Sequence, residues 1–272
     1  MRPRFCAAIR LRRARALDSD AATQWALLLE YDGGPFVGWQ RQDAGQSIQD
    51  VVEAAAARLN AGQPVAATVA GRTDSGVHAA GQVVSLRLPT GLQPRQVRDA
   101  LNYHMKPNPV VVVRAVVAPT GWNPRFSAIS RSYRYQIINR RSRPALLLGR
   151  AWHVAAPLNV AAMHEAAQSL LGLHDFTSFR AAACQAKSPI RTLDRLAVSR
   201  DGEVITIEAE ARSFLHHQVR NLVGSLRLVG DGKWPIERLA AVLAARDRSA
   251  AGPTAPAEGL CLMAVRYGYD LF

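Results

Sequence analysis

The sequence contains little cysteine, almost no lysine and no long apolar segment. Its three cysteines, Cys6, Cys184 and Cys261, are far apart, and no two have the spacing of a metal site or a CxxC redox pair. This indicates a reducing compartment, here the cytoplasm, and no structural metal. No apolar run reaches the length of a membrane span and no secretory signal is present, so we expect no membrane partner.

The basic residues are almost all arginine. Only three of the 34 basic residues are lysine, which leaves 31 arginines against 21 acidic residues. The formal net charge is +13, which is typical of a globular chain that binds a polyanion. Because guanidinium groups pair with phosphates and stack on bases, the composition favours RNA. A GC-rich genome would also enrich arginine and alanine, and we expect that both causes operate.

Residues 1–20 form a separate basic segment. Six arginines precede the first acidic residue, Asp18. This pattern predicts a disordered basic arm that adds non-specific affinity for phosphates. Two alternatives remain open, namely an organelle transit peptide, for which serine is scarce, and a start codon assigned too far upstream.

The remaining chain is long and apolar enough for two packed halves. It is part of 272 residues with 49% hydrophobic content. The sequence patterns of the first half predict strands and helices in the order β-α-β-β-α-β. The last of these strands is the β-branched run Val110–Val117, which we expect to be buried. The second half has a similar order. We therefore expect an α+β fold of two related halves, residues 21–118 and 125–272, each a mostly antiparallel sheet with helices on one face, and a central cleft between the two sheets.

Several helix boundaries are also predicted. Ser47 and Asn159 have the side chains of N-caps, and Pro94 is suited to open a helix. A longer helix is expected from Ser213 to residue 228.

Arg220 lies on this helix among apolar neighbours, and a half-buried arginine requires a carboxylate partner. Alternatively, Arg220 extends from the edge of the apolar stripe into solvent.

The stretch from Ala70 to Ala79 carries the main candidate for chemistry. Gly71 and Gly76 permit backbone angles that other residues avoid, which allows either a sharp turn around Asp74 or the close approach of a ligand. A carboxylate oriented beside the guanidinium of Arg72 could act as a nucleophile or a base. The alternative is a surface loop with a local Arg72–Asp74 ion pair, because turns favour such residues in general.

Asp74-Ser75-Gly76 also matches the D-[ST]-G turn of aspartic proteases. That chemistry needs two aspartates that share a proton. Since the chain contains no second D-[ST]-G, a homodimer would have to supply it, and the charge of +13 would have no explanation.

Two tyrosines and an arginine are expected on one face of a strand. Tyr133 and Tyr135 are two residues apart, and Arg131 shares their face. Such a set could sandwich a base, although ordinary packing between strands explains at least one of the tyrosines as well. No metal role is assigned to His78, His216 or His217, whose spacing is not that of ligands.

The sequence resembles the tRNA pseudouridine synthase A (TruA) family over about residues 25–267. The most distinctive block is Gly71-Arg72-Thr73-Asp74-Ser75-Gly76-Val77-His78-Ala79. The other blocks, in order and at matching spacing, are residues 31–33 with 36–40, 126–135, 174–180, 188–192, 214–224 and 255–260. Two local departures are Gly34, where a threonine is usual, and residues 105–109, where a Leu-Pro-x-Asp run is usual.

The resemblance implies an activity and roles for four residues. Members isomerise uridine to pseudouridine at positions 38, 39 and 40 of the tRNA anticodon stem-loop, without a cofactor or metal. By their places in the motifs, Asp74 resembles the nucleophile and Arg72 the arginine that helps to flip the target base. Tyr133 resembles the aromatic residue that packs on the uracil, and Arg220 the arginine paired with the carboxylate.

The resemblance also implies a homodimer whose basic cleft holds tRNA. The reaction needs a carboxylate, a dry pocket and access to a flipped base, which agrees with the residues above. The main alternative is a basic RNA-binding protein without catalytic activity. Such a protein would bind tRNA but leave uridine intact.

Overall fold

The computed structural model describes residues 22–272, so the predicted basic arm at residues 1–20 lies outside the described residues. Its strands are β1 (Ala22–Tyr31), β2 (Thr68–Val69), β3 (His78–Pro89), β4 (Val110–Val117), β5 (Ala128–Ile138), β6 (Trp152–His153), β7 (Gly172–Asp175), β8 (Ile190–Asp201), β9 (Val204–Ala211) and β10 (Leu260–Tyr267). Its α-helices are α1 (Ile48–Leu59), α2 (Pro94–Met105), α3 (Val160–Gln168), α4 (Gln218–Gly230) and α5 (Arg238–Ala245).

The strands form one mixed sheet in the order β4-β1-β3-β10-β5-β9-β8-β7, to which β2 and β6 add at β3 and β5. The pairs are antiparallel except β3 with β10 and β5 with β6. The predicted α+β class with a mostly antiparallel sheet is therefore confirmed. The strands of the two halves are continuous with each other, because the last strand, β10, lies between β3 and β5.

The two main cores lie on either side of this junction. In the first half, alternate residues of β1 from Trp25 to Tyr31 pack with the apolar faces of α1 and α2. In the second half, Tyr135 and Ile137 of β5 pack with α3 and α4. Tyr133 contacts both cores, so the helices of both halves cover the same face of the sheet.

The three predicted helix starts are confirmed. Ser47 accepts a hydrogen bond from the backbone of Asp50, whose carboxylate accepts one from the Ser47 N–H, and this forms a capping box. Asn159 caps α3 by accepting from Ala162 N, and Pro94 occupies the first position of α2. These starts depend on local chemistry that the sequence displays directly.

Val110–Val117 forms a strand as predicted, but the prediction that this strand is buried was wrong. β4 is the end strand of the sheet, and Val111, Val113 and Val117 are exposed. A β-branched run also fits a pleated surface that is buried on one side only, so the run predicts a strand but not burial of both faces.

The predicted helix start at Ser213 was also wrong. α4 begins at Gln218, after His217, whose φ of 62° is left-handed and interrupts helical geometry. Residues 213–217 therefore form a loop, and the Gln218 side chain accepts a hydrogen bond from Leu215 N. None of the helices within residues 22–272 has both the length and the apolarity needed to cross a membrane.

Candidate active site

The loop that carries Asp74, residues 71–77, is packed against an earlier segment of the first half. A side chain at Gly33 would place Cβ 2.0 Å from the Val77 carbonyl oxygen, and one at Gly38 would place it 2.9 Å from that of Thr73. Gly38 also has a φ of +109°, and the following residue, Trp39, donates its N–H to the Thr73 carbonyl at 3.0 Å. Only glycine permits so close an approach, which is why residues 33–39 can support the Asp74 loop.

Buried polar groups hold the start of the same loop. The Thr73 hydroxyl is 2.8 Å from that of Tyr31, and both side chains are buried. The Gln82 amide donates to the Tyr31 hydroxyl at 3.2 Å and to the Gly71 carbonyl at 2.8 Å. Because unpaired polar groups are costly in the interior, this network restricts the backbone that leads to Asp74.

The two loop glycines have different roles. Gly76 has a φ of +76°, as the predicted sharp turn requires. Gly71 does not adopt a positive φ, and a Cβ at this position would meet nothing within 4 Å. The expectation of an unusual backbone angle therefore holds for Gly76 and not for Gly71, and the alternative that Gly71 lets a ligand approach stays a prediction.

Asp74 lies among three basic side chains of the second half. Its Oδ2 is 3.3 Å from Arg220 Nη1 and 3.4 Å from His217 Nε2, while its Oδ1 is 3.4 Å from His216 Nε2. The Asp74 side chain is 23% exposed and thus accessible from the surface. The structure joins a loop of the first half to the start of α4 at this point.

The local ion pair between Arg72 and Asp74 does not form. Arg72 is exposed, and within residues 22–272 its side chain makes no hydrogen bond or ion pair. Arg220 instead supplies the guanidinium, and its Nε donates to the Ala255 carbonyl at 2.8 Å. The expectation that the half-buried Arg220 has a carboxylate partner agrees with this geometry, and its side chain is 16% exposed.

From the sequence, His216 and His217 were given no metal role and no other role at the site. Their rings are 4.0 Å apart, and His217 keeps a left-handed backbone that a non-glycine residue adopts only at a cost. Burial lowers the pKa of His217, and this effect outweighs the attraction of Asp74, so the imidazole is neutral at pH 7. Their position one turn before Arg220 was the available signal, but a regular helix through Ser213 would have directed them elsewhere.

Tyr133 and Tyr135 have different environments although they share one face. Tyr135 is fully buried, and its hydroxyl donates to the Pro256 carbonyl at 2.8 Å, so it is a core residue. Tyr133 is partly exposed and packs edge to face on Phe214 at 5.2 Å. Burial raises the pKa of Tyr133, and the nearby Asp74 charge adds to this, so the phenol stays protonated. Of these two tyrosines, Tyr133 is the one that keeps an exposed surface, and it is near enough to Asp74 for that charge to influence its pKa.

Arg131 does not form one side of a base sandwich. It is 6% exposed, and its guanidinium donates to the carbonyls of Ala70, Arg125 and Arg212. Burial away from carboxylates lowers its pKa. Arg131 therefore connects backbone segments beneath the surface.

Asp74, His216 and His217 each offer a ligand atom, and these atoms lie within 4.8 Å of one another. This spacing could admit a divalent cation, but Arg220 would place a positive charge beside the same carboxylate. The prediction of no metal role stays a prediction.

The arrangement provides an accessible carboxylate with a fixed cationic partner and a protonated phenol nearby. Such a carboxylate can attack an electrophilic carbon or accept a proton. The aspartic protease alternative requires a second carboxylate that shares the proton. In the described part of the chain, the ionisable side chains that contact Asp74 are instead an arginine and two histidines.

Comparison with known proteins agrees with these motifs. A family model described as tRNA pseudouridine synthase matches residues 28–127 and 166–268. The tRNA pseudouridine synthase A of Acidiphilium cryptum is 66% identical over 250 residues, which cover 92% of this chain and 98% of that protein. The enzymes of the same name from Gluconobacter oxydans and Paramagnetospirillum magneticum are 54% and 57% identical, cover 94% and 90% of this chain, and are covered over 94% and 95% of their own length. The chain belongs to the tRNA pseudouridine synthase family.

Proposed function

We propose that this protein isomerises uridine to pseudouridine in tRNA. The single observation that carries the proposal is the Asp74–Arg220 pair, in which a motif loop of the first half meets the start of α4 beside Tyr133. The names of the relatives support tRNA as the substrate. The finer assignment, positions 38, 39 and 40 of the anticodon stem-loop, rests on the family resemblance of the motifs.

In the proposed mechanism Asp74 is the nucleophile. We propose that an Asp74 carboxylate oxygen bonds to C1′ as the C1′–N1 bond of uridine breaks and its electron pair leaves with N1. The uracil anion turns, C5 bonds to C1′ and expels the carboxylate, and C5 then loses its proton while N1 gains one. Atoms and electrons balance without an oxidant or co-reactant, so we propose that no cofactor is used. Arg220 orients the Asp74 carboxylate, because its Nη1 lies 3.3 Å from Asp74 Oδ2 and its Nε is held by the Ala255 carbonyl.

Two further residues act on the base in this proposal. Tyr133 receives the flipped uracil, because its ring is partly exposed and its orientation is held by Phe214. Arg72 is exposed and lies two residues before Asp74. We propose that its side chain inserts into the base stack at the place that the flipped uridine leaves. Both roles come from matching motif positions, and the observed exposure supports them.

The assembly and location are proposed on the same basis. We propose a homodimer with a basic cleft for tRNA, two domains at residues 21–118 and 125–272, and a place in the cytoplasm. The net charge of +13 supports a polyanionic partner.

The test is direct. The purified protein is incubated with an unmodified tRNA transcript that has uridines in the anticodon stem-loop, and pseudouridine is mapped by nucleotide. We expect product at positions 38 to 40 and none with Asp74→Asn. Tight tRNA binding with no pseudouridine from the wild-type protein would instead support the RNA-binding protein without catalytic activity.

A further inference from the structure

An exposed aromatic residue lies on a rigid turn between the two halves. Phe126 is 75% exposed, which is unusual for a large apolar side chain. The Asn123 side chain accepts hydrogen bonds from Arg125 N at 2.9 Å and Phe126 N at 3.1 Å, and Asn123 N donates to Ser127 Oγ at 3.1 Å. The turn therefore holds Phe126 outward.

Arg131 places this turn beside the Asp74 loop. Its Nη2 donates to the Arg125 carbonyl at 2.7 Å and to the Ala70 carbonyl at 2.8 Å, so the two carbonyl oxygens lie within a few ångströms of each other. Its Nη1 donates to the Arg212 carbonyl at 2.6 Å, just before the loop of residues 213–217. One buried guanidinium thus gathers the Phe126 turn and both segments that lead to the candidate active site.

The side chains around this junction are basic. Arg72, Arg125 and Arg212 are all exposed, and the Arg125 guanidinium lies 5.8 Å from the centre of the Phe126 ring. An exposed aromatic ring among arginines has the chemistry that binds single-stranded or unstacked nucleotides, with bases on the ring and phosphates on the guanidiniums. At this particular surface a second copy of this chain is a poorer occupant, because acidic residues of that copy would have to face these arginines and the chain has 21 acidic against 34 basic residues.

We propose that Phe126 and Arg125 form a stacking platform for a tRNA nucleotide that neighbours the target uridine. This rests on the proposed function, since the platform lies beside the loop that carries Arg72 and Asp74. Phe126 stacks on a base that is exposed when the stem-loop is distorted, and Arg125 binds the adjoining phosphate. Arg131 is the positioning residue that fixes the platform relative to the catalytic loop.

The test measures tRNA affinity as a function of salt. Dissociation constants for an unmodified tRNA transcript are determined in the Asp74→Asn background, so that no turnover occurs, for Phe126→Ala, Phe126→Trp and Arg125→Ala. We expect Phe126→Ala to weaken binding about 10-fold with an unchanged salt slope, because stacking releases no counterions. Phe126→Trp should bind within about twofold of the parent, and Arg125→Ala should reduce the salt slope by about one.

Tyr103→Ala is the matched control, because Tyr103 is an aromatic residue of α2 that is 71% exposed. It should leave affinity unchanged, and thermal unfolding should show that all variants fold. Unchanged affinity in Phe126→Ala would overturn the proposal. The proposal would also be overturned if light scattering showed that Phe126→Ala converts a dimer to monomers, because Phe126 would then belong to an interface between copies. If the wild-type protein forms no pseudouridine while Phe126→Ala still weakens binding, the proposed function fails and the platform remains.

Discussion

The contact between Asp74 and Arg220 leads to a prediction about both stability and activity. Asparagine has nearly the shape of aspartate but cannot form the covalent bond or accept the proton, so Asp74→Asn should bind tRNA normally and form no pseudouridine. Arg220→Met removes the guanidinium and keeps much of the apolar stem. Each single change therefore breaks the pair from one side.

The expected magnitude follows from the burial of the two groups. The side chains are 16% and 23% exposed, so the pair lies between a surface ion pair and a buried one. Exposed pairs contribute about 0 to 1 kcal/mol, and removal of one partner of a buried pair costs about 3 to 5 kcal/mol. Arg220→Met also loses the hydrogen bond to Ala255, so we expect a loss of about 2 to 3 kcal/mol in the free energy of unfolding.

A double-mutant cycle isolates the pair. Asp74→Asn alone should cost about 1 kcal/mol, because His216 and His217 still surround the site. The double variant should be more stable than the sum of the single effects predicts, by about 1 kcal/mol. The assays are urea unfolding for stability, filter binding of tRNA, and mapping of pseudouridine.

Two results would refute this reasoning. Strict additivity of the two losses would show that the side chains do not interact in solution. Pseudouridine formation by Asp74→Asn, in a preparation free of the host enzyme, would remove Asp74 from the role of nucleophile.

Three further predictions concern the phenol, a histidine and the assembly. Tyr133→Phe should keep most activity if the ring only receives uracil, with Tyr133→Ala at least 10-fold slower in single turnover; equal rates for wild type and alanine would contradict the assignment. Because burial holds the pKa of His217 below its unfolded value, the unfolded chain binds more protons and stability should fall as pH drops below about 6.5. Asparagine tolerates the left-handed backbone, so His217→Asn is a suitable variant. Between pH 7.5 and 5.5 it should lose less of its free energy of unfolding in urea than the wild type, and an equal loss would show that His217 is not the source of the pH dependence. Light scattering should give the mass of a dimer at micromolar concentration, and a fully active monomer would exclude the homodimer.

Local patterns in the sequence were sufficient for the fold class and many of its elements. The order β-α-β-β-α-β, the caps at Ser47 and Asn159 and the start at Pro94 were all predicted, because each depends on residues within one turn of the chain. The motif around Asp74 also indicated where chemistry could occur. Strand propensity alone did not reveal that β4 is an end strand, since exposure depends on which strands pair with it.

Only the tertiary structure decided the partners of the candidate site. Arg72 is two residues from Asp74 but does not pair with it, whereas Arg220 is 146 residues away and does. This contact arises because β10 pairs with both β3 and β5 and so brings the Asp74 loop and the start of α4 together. The position of Arg131 is decided in the same way. Its guanidinium is held by the carbonyls of Ala70 and Arg212, which are 61 and 81 residues away, and short-range sequence patterns do not encode such contacts.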